Sequence, residues 1–253
     1  VPRLRVMVSD VDGGRDVVKS KTRGRAIPYE IRQSIEAKLR RLVFDNPLPN
    51  PKHQFSRARL YYYIKMTYCS LARPINKELG SLRWSDVEIR PSKEVDGAFI
   101  GIFTIEDGKN GKRTAITTYS GTNFLMEWRA ISLDYGFGQD EDYMFPNHDG
   151  GMCPTWHIGT QLRKLLEKWG QRKLPSGENI TIYSWRASSI TQKIKDKWDL
   201  GQISKAADTG IMSIQNSYYD EIMASNADRF ANQFQGEARV SDRNKEKIAE
   251  LLE

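Results

Sequence analysis

The spacing of apolar residues predicts a mostly helical chain. In 28–44, Ile31, Ile35, Leu39 and Leu42 recur every three or four residues, which is the period of a helix with one buried face. A long buried helix is predicted over 55–72 and a short one over 75–87. Further helical patterns occupy the rest of the chain, at 122–136, 155–173, 184–198, 200–210, 215–223 and 241–253.

The period shortens to two in the middle of the chain. The stretch 98–120, "AFIGIFTIEDGKNGKRTAITTYS", reads as two strands around a Gly-rich turn, and "DVEIRP" at 86–91 reads as a third. Helices precede and follow this region and do not alternate with its strands. The predicted fold class is therefore α+β, a mostly helical domain with a small three-stranded antiparallel sheet.

The composition and the motifs that are missing from the sequence exclude several classes of function. Hydrophobic residues make up 39% of the 253 and the mean hydropathy is −0.61. No apolar run approaches the ~18 residues of a membrane helix, so no membrane partner is predicted. Cys69 and Cys153 are not paired by spacing, and no Cys/His cluster or Gly-rich phosphate loop occurs. We therefore expect a cytoplasmic protein that needs neither a metal nor a nucleotide cofactor.

The net charge of +7 and the pI near 9.3 favour a polyanionic partner. The excess is concentrated at the start of the chain, where residues 1–44 hold eleven Lys and Arg against five acids. Two interpretations stay open for this segment. It is either a solubilising face or an arm that neutralises phosphates.

Three cations occupy positions suited to binding an anion. Arg186 lies at the start of a predicted helix, where free backbone N–H groups attract negative charge. Arg73 follows the long apolar helix, and Lys109 lies on the predicted hairpin turn. Taken singly, each is explained as an ordinary surface residue, since turns are commonly polar.

Four segments together resemble the motifs of the tyrosine recombinases, the phage-integrase family. Residues 71–89, "LARPINKELGSLRWSDVEI", resemble the first arginine box, and "GKNGKRTAIT" at 108–117 resembles the hairpin-lysine segment. "YSWRASSIT" at 183–191 resembles the second arginine box, and "SIQNSYYDEI" at 213–222 the nucleophile box. The four occur in the family's order.

The resemblance implies the family's catalytic fold and its activity, a site-specific DNA recombinase (integrase) that cleaves and rejoins DNA through a covalent 3′-phosphotyrosine. It also implies a role for each matched residue. The nucleophile of the family commonly falls about 32 residues after the second arginine, which is Tyr218 here, with Tyr219 as the alternative. Arg73 and Arg186 are expected to bind the non-bridging phosphate oxygens. Lys109 is expected to protonate the leaving 5′ oxygen.

The chain departs from the family pattern in three places. Arg73 and Trp84 are separated by a slightly longer spacing than usual, although Glu78 keeps the acidic position of the box. Tyr183 replaces the histidine of the second box, and Thr209 stands where the family has its last His or Trp. Tyr183 and Thr209 are kept as candidate site residues that donate hydrogen bonds to the phosphate.

The resemblance also implies an organisation and partners. Residues 1–26 are interpreted as a basic linker or arm from an N-terminal core-binding domain, and 27–253 as the catalytic domain with a C-terminal tail helix. The expected partner is double-stranded DNA, on which copies assemble into a tetramer. The expected location is the nucleoid of a bacterial host.

Three alternatives remain open at this stage. One is a catalytically degenerate DNA-binding protein of the same fold, which the residues at 183 and 209 favour. Another is a type IB topoisomerase-like enzyme, which uses the same chemistry without site preference. The last is a basic helical protein that packages RNA or DNA, and it predicts that the candidate residues are scattered over the fold.

Overall fold

The computed structural model describes residues 25–218, which form seven helices and a three-stranded antiparallel sheet. The elements in chain order are α1 (Tyr29–Phe44), α2 (Pro51–Ser70), β1 (Val87–Pro91), β2 (Phe99–Gly108), β3 (Gly111–Ile116), α3 (Tyr119–Asp134), α4 (Thr155–Lys168), α5 (Ile182–Lys195), α6 (Leu200–Ala207) and α7 (Ile211–Ser217). The predicted fold class is confirmed. Tyr219, residues 1–24 of the predicted arm and the helix predicted over 241–253 lie outside the described residues.

Helix α2 is the centre of the fold. Asn50 caps its start by accepting hydrogen bonds from the backbone N–H groups of Lys52 and His53, and Pro51 takes the first position. Buried residues occupy all sides of the helix, and α1, α3 and α5 pack around it. The helix ends at Leu71, whose φ of 57° turns the chain sharply toward Arg73.

The sheet has the order β1-β2-β3, with Val87 opposite Phe103 and Phe103 opposite Ala115. Phe103 and Ala115 are buried and lie on the face that packs toward α3. A two-residue turn, Lys109–Asn110, joins β2 to β3. The three predicted strands and the position of Lys109 on a hairpin turn are therefore confirmed.

The short helix predicted over 75–87 is wrong. The segment forms successive turns, in which the Arg73 carbonyl accepts hydrogen bonds from the N–H groups of Ile75 and Leu79, and then a single 3-10 turn at Trp84–Asp86. Gly80 permits this path, because a Cβ there would lie 2.9 Å from the Cα of Asn76. The Glu78 carboxylate turns back toward Arg73 and accepts hydrogen bonds from its backbone N–H and its guanidinium.

A second hydrophobic cluster fastens the end of the described chain. Its buried members come from the turn after α2 and from α5, α6 and α7, and they are Leu71, Ile190, Ile194, Ile203, Ala207 and Ile214. Trp198 is 46% exposed, because α5 ends at Lys195. The cluster holds α6 and α7 against the helix that carries Arg186.

None of the helices between residues 25 and 218 is both long and apolar enough to cross a membrane.

Candidate active site

A cleft of about 550 Å³ opens between the sheet and the last helices. Six of the seven candidate residues line it, namely Arg73, Lys109, Tyr183, Arg186, Thr209 and Tyr218. The seventh, Tyr219, lies beyond the described part of the chain. Four separate segments thus meet at one cavity, although up to 145 positions separate its first and last members in the sequence.

Arg186 lies deep in the cleft wall, with 5% of its surface exposed. Its Nη1 donates to the carbonyl of Leu71, and its Nη2 donates to the carbonyl of Ala207 and to Thr209 Oγ1, the last at 3.1 Å. Burial and, to a smaller extent, the nearby Arg73 lower the pKa of Arg186 to about 10. The group remains a cation at neutral pH, and these partners are neutral.

The structure corrects the interpretation of Arg186 as a residue in the first turn of a helix. Helix α5 begins at Ile182, so Arg186 lies in its second turn. The guanidinium donates hydrogen bonds to carbonyl oxygens and does not lie beside the free N–H groups at the start of the helix. Its capacity to bind an anion therefore comes from its own charge.

Arg73 is held by two carboxylates. Its Nη1 donates to Glu78 Oε1 at 2.6 Å and to Asp208 Oδ2 at 2.8 Å, and its Nη2 donates to the backbone carbonyl of Asp208. Burial by itself lowers the pKa of Arg73, but the hydrogen bonds to Asp208 and Glu78 outweigh burial and raise it. Arg73 is consequently charged and fixed in orientation.

Glu78 is completely buried and also binds Arg113. Its Oε2 accepts from Arg113 Nη2 at 2.6 Å, while Arg113 Nη1 donates to the Ala206 carbonyl at 3.3 Å. Burial alone would raise the pKa of Glu78, but the hydrogen bonds from Arg113 and Arg73 lower it below its ordinary value. One carboxylate therefore fixes two guanidinium groups behind the cleft.

Sequence reasoning did not identify Arg113, although a signal was present. Buried Ala115 is two positions later on β3, so the alternation of a strand points Arg113 to the same, inward face. Lys112 and Thr114 point the other way and are exposed. The alternation of β3 therefore indicates an inward-pointing arginine close to Lys109 on the hairpin.

Asp208 and Asn110 were also missed. Asp208 ends α6 in the left-handed conformation, with a φ of 47°, and its Oδ1 accepts from Asn110 Nδ2 at 2.7 Å. Burial by itself raises the pKa of Asp208, but the hydrogen bonds from Arg73 and Asn110 outweigh burial and lower the pKa below its ordinary value. Both residues line the cleft beside the predicted ones.

The two departures from the family pattern have different surroundings. Tyr183 is 40% exposed at the cleft edge; burial of its phenol raises the pKa, while Arg186 and Arg73 oppose that rise. Thr209 Oγ1 accepts from Arg186 and donates to the Ala207 carbonyl at 3.2 Å. Because a hydroxyl has one proton, the Thr209 hydroxyl is committed to the protein in this arrangement.

The electrostatic balance of the cleft and its wall favours an anion. Four cationic side chains (Arg73, Lys109, Arg113, Arg186) face two carboxylates (Glu78, Asp208), which leaves a net charge of +2. Within residues 25–218, no three His, Cys, Asp or Glu side chains group as a metal site would require. The arrangement suits a group of phosphate size and charge.

Comparison with known proteins gives structural but not sequence matches. No protein-family model and no curated protein sequence matches the chain. Among solved structures, a XerH site-specific recombinase bound to palindromic difH substrate is similar with a TM-score of 0.61 and 15% identity over 85% of this chain. The XerA recombinase gives 0.58 and 15% over 81%, and a lambda integrase dimer bound to a COC′ core site gives 0.53 and 13% over 78%.

These matches establish the fold. The chain has the catalytic fold of the tyrosine recombinases, as the motif resemblance predicted. It spans 55%, 64% and 59% of the length of the three solved chains, so it corresponds to part of each.

Proposed function

We propose that this chain is the catalytic part of a site-specific DNA recombinase of the integrase type, which cleaves and rejoins double-stranded DNA through a covalent 3′-phosphotyrosine. The observation that carries the proposal is the meeting of Tyr218, Arg73 and Arg186 in one positively charged cleft. A packaging protein has no need for this convergence, and that hypothesis predicts scattered residues.

The proposed mechanism follows from the chemistry of phosphoryl transfer. A phenol of ordinary pKa ~10 becomes nucleophilic once its proton has left and a phosphate is held in line. Arg73 and Arg186 bind the non-bridging oxygens, where charge builds in the transition state. The Tyr218 oxygen forms a bond to phosphorus, and the bond from phosphorus to the 5′ oxygen breaks as Lys109 gives that oxygen a proton.

Rejoining is the same reaction in reverse with another 5′ hydroxyl. The energy of the broken diester is kept in the phosphotyrosine bond, so the reaction consumes no nucleotide. The hydroxyl of Tyr183 can donate to the phosphate from the cleft edge. The Thr209 hydroxyl supports the reaction indirectly, because it accepts a hydrogen bond from Arg186 Nη2 and so helps to orient that guanidinium.

DNA is the proposed partner because of charge and similarity. The chain carries a net +7, and the solved XerH and lambda integrase neighbours are bound to DNA sites. We extend the proposal to a tetramer assembled on DNA, in the bacterial nucleoid, with a phage or another mobile element as source. The basic arm at 1–26 would join this catalytic part to a core-binding domain.

A catalytically degenerate DNA-binding protein is the second candidate, and one contact favours it. The Thr209 hydroxyl donates to the Ala207 carbonyl, so the position does not present a free donor to a phosphate. A type IB topoisomerase-like enzyme is the third candidate, since its chemistry uses the same residues.

A covalent-trap selection distinguishes these candidates. The 253-residue chain is mixed with nicked suicide duplexes whose central base pairs are randomised, so that the cleaved fragment dissociates and cannot be rejoined. A recombinase yields a covalent complex enriched in a defined sequence, and a topoisomerase-like enzyme yields one without sequence preference. A degenerate protein binds the duplexes and yields no covalent complex, which would refute the proposal.

A further inference from the structure

The hairpin turn that carries Lys109 is tied to the helical half of the cleft at its tip. Asn110, the residue after Lys109, donates from Nδ2 to Asp208 Oδ1 at 2.7 Å. Asn110 and Asp208 are 98 residues apart and come from the β2–β3 turn and the end of α6. The contact therefore fixes the distance between the turn and the opposite wall of the cleft.

The same carboxylate binds the arginine of the first box. Oδ1 of Asp208 accepts a hydrogen bond from Asn110, and Oδ2 accepts one from Arg73 Nη1 at 2.8 Å. Oδ2 also lies 3.9 Å from Arg113 Nε. A carboxylate accepts on both oxygens, whereas an amide presents an N–H group on one side. Asp208 can thus hold the turn and Arg73 simultaneously, and an asparagine at this position cannot.

The backbone at Asp208 supports this interpretation. Its φ of 47° and ψ of 49° are left-handed, a conformation that Asp and Asn adopt more readily than other residues with a Cβ. This conformation ends α6, one position before Thr209 enters the cleft wall. The end of the helix therefore places the Asp208 carboxylate between Arg73 and Asn110.

We propose that Asn110 and Asp208 are positioning residues, which hold the Lys109 amine at the distance from Arg73 that proton transfer to the 5′ oxygen requires. The inference rests on the proposed function. A general acid must approach its acceptor to about 3 Å. Without the hydrogen bond between Asn110 and Asp208, the turn no longer holds Lys109 at this distance, and proton transfer to the 5′ oxygen is lost although Lys109 itself is intact. Neither residue acts on the phosphate directly.

A substrate whose leaving atom is sulfur tests the proposal. In a duplex with a 5′-bridging phosphorothiolate at the cleavage position, the phosphorus–sulfur bond breaks and sulfur departs as a thiolate without needing a proton. The duplex is the one selected in the covalent trap, made in oxygen and sulfur forms. Loss of a positioned general acid slows the oxygen form only, whereas loss of phosphate binding slows both forms.

Asn110→Ala is the deciding variant, because its side chain is exposed and its loss leaves the Arg73 contacts in place. We expect about tenfold slower cleavage of the oxygen duplex and wild-type cleavage of the sulfur duplex, the same pattern as Lys109→Ala with its larger loss of about 100-fold. Asp208→Asn should slow both forms, and the oxygen form more, because it also alters the hold on Arg73.

Matched controls lie on the same hairpin. Lys112→Ala removes an exposed lysine paired with Glu106, and Asp107→Asn an exposed carboxylate paired with Lys77. Neither residue lines the cleft, so both variants should cleave both duplexes as the wild type does. Thermal melting of each variant excludes a loss of folding as the cause.

Three results would overturn the inference. Wild-type cleavage of the oxygen duplex by Asn110→Ala, or equal slowing of both duplexes, removes the positioning role while the function stands. If the wild type forms no covalent complex in the trap selection although it binds the duplexes, the proposed function fails and the inference falls with it.

Discussion

The backbone N–H and the guanidinium of Arg73 both donate to the carboxylate of Glu78, at 2.9 and 2.6 Å. Glu78 follows Arg73 by five positions through a series of turns, and its side chain is entirely buried. The carboxylate of Glu78 therefore links the conformation of the segment to the orientation of its arginine, which Asp208 also holds. Glu78 gains a further ion pair from Arg113, so the contact also ties the segment to the hairpin.

Glu78→Gln should lower the free energy of unfolding by about 3 kcal/mol. The amide removes one of the two carboxylates that compensate the Arg73 and Arg113 guanidinium groups and leaves Asp208 as the other. Its N–H₂ also faces one of the guanidinium groups as a second donor. Urea denaturation followed by far-UV circular dichroism measures the change. Asp107→Asn, which breaks an exposed pair with Lys77, is the control and should cost ~0.5 kcal/mol or less. Equal losses in the two variants would contradict a special role for the buried pair.

The same carboxylate predicts how stability depends on pH. The pKa of Glu78 is lowered from its ordinary 4.5 by Arg113 and Arg73, so the unfolded chain takes up a proton at a higher pH than the folded one. The stabilisation is complete above the ordinary value and is lost as the pH falls through the lower, folded pKa. Unfolding free energies measured from pH 6 downward should decline below about 4.5, and the decline should be shallower in Glu78→Gln. Parallel curves for the two proteins would refute the assignment.

Arg186→Lys should reduce covalent complex formation by about 100-fold or more, while the affinity for DNA changes little. A lysine carries the same charge but cannot donate at once to the Leu71 and Ala207 carbonyls and to Thr209. Single-turnover cleavage at saturating duplex measures the step, and a mobility-shift assay measures binding. Arg90→Lys alters a half-exposed arginine on β1 that pairs loosely with Glu88, and should cleave normally.

The sequence predicted most of the elements and six of the residues that line the cleft, and its failures have physical causes. Arg73, Lys109 and Arg186 belong to segments that resemble the motifs of the tyrosine recombinases. Asp208 and Asn110 were missed because they are 98 positions apart in the sequence. They meet only because α6, which Asp208 ends, packs against α5. The helix predicted over 75–87 failed for the same reason, since Arg73 and Arg113 draw Glu78 into the interior.

Thr209→Val should slow cleavage about tenfold, because the isosteric methyl group removes the acceptor that Arg186 Nη2 uses and the donor to the Ala207 carbonyl. Thr209→Ser keeps the hydroxyl and is the matched control, with cleavage near that of the wild type. Single-turnover rates on the trapped duplex provide the measurement. Unchanged cleavage in the valine variant would mean that the hydroxyl does not help to orient Arg186.

Replacement of the two adjacent tyrosines tests the proposed nucleophile. Tyr218 follows α7, lines the cleft and is close enough to Arg186 for the two to interact electrostatically. Tyr218→Phe removes only the attacking oxygen, so we expect covalent complex to fall below detection while DNA binding is kept. Tyr219→Phe is the matched variant and should still form the complex, with the peptide containing Tyr218 found attached to DNA by mass spectrometry. The opposite result would move the nucleophile by one residue and keep the mechanism. Covalent complex in both single variants and in the double variant would remove tyrosine attack from this segment altogether, because the remaining cleft residues would then have to supply another nucleophile.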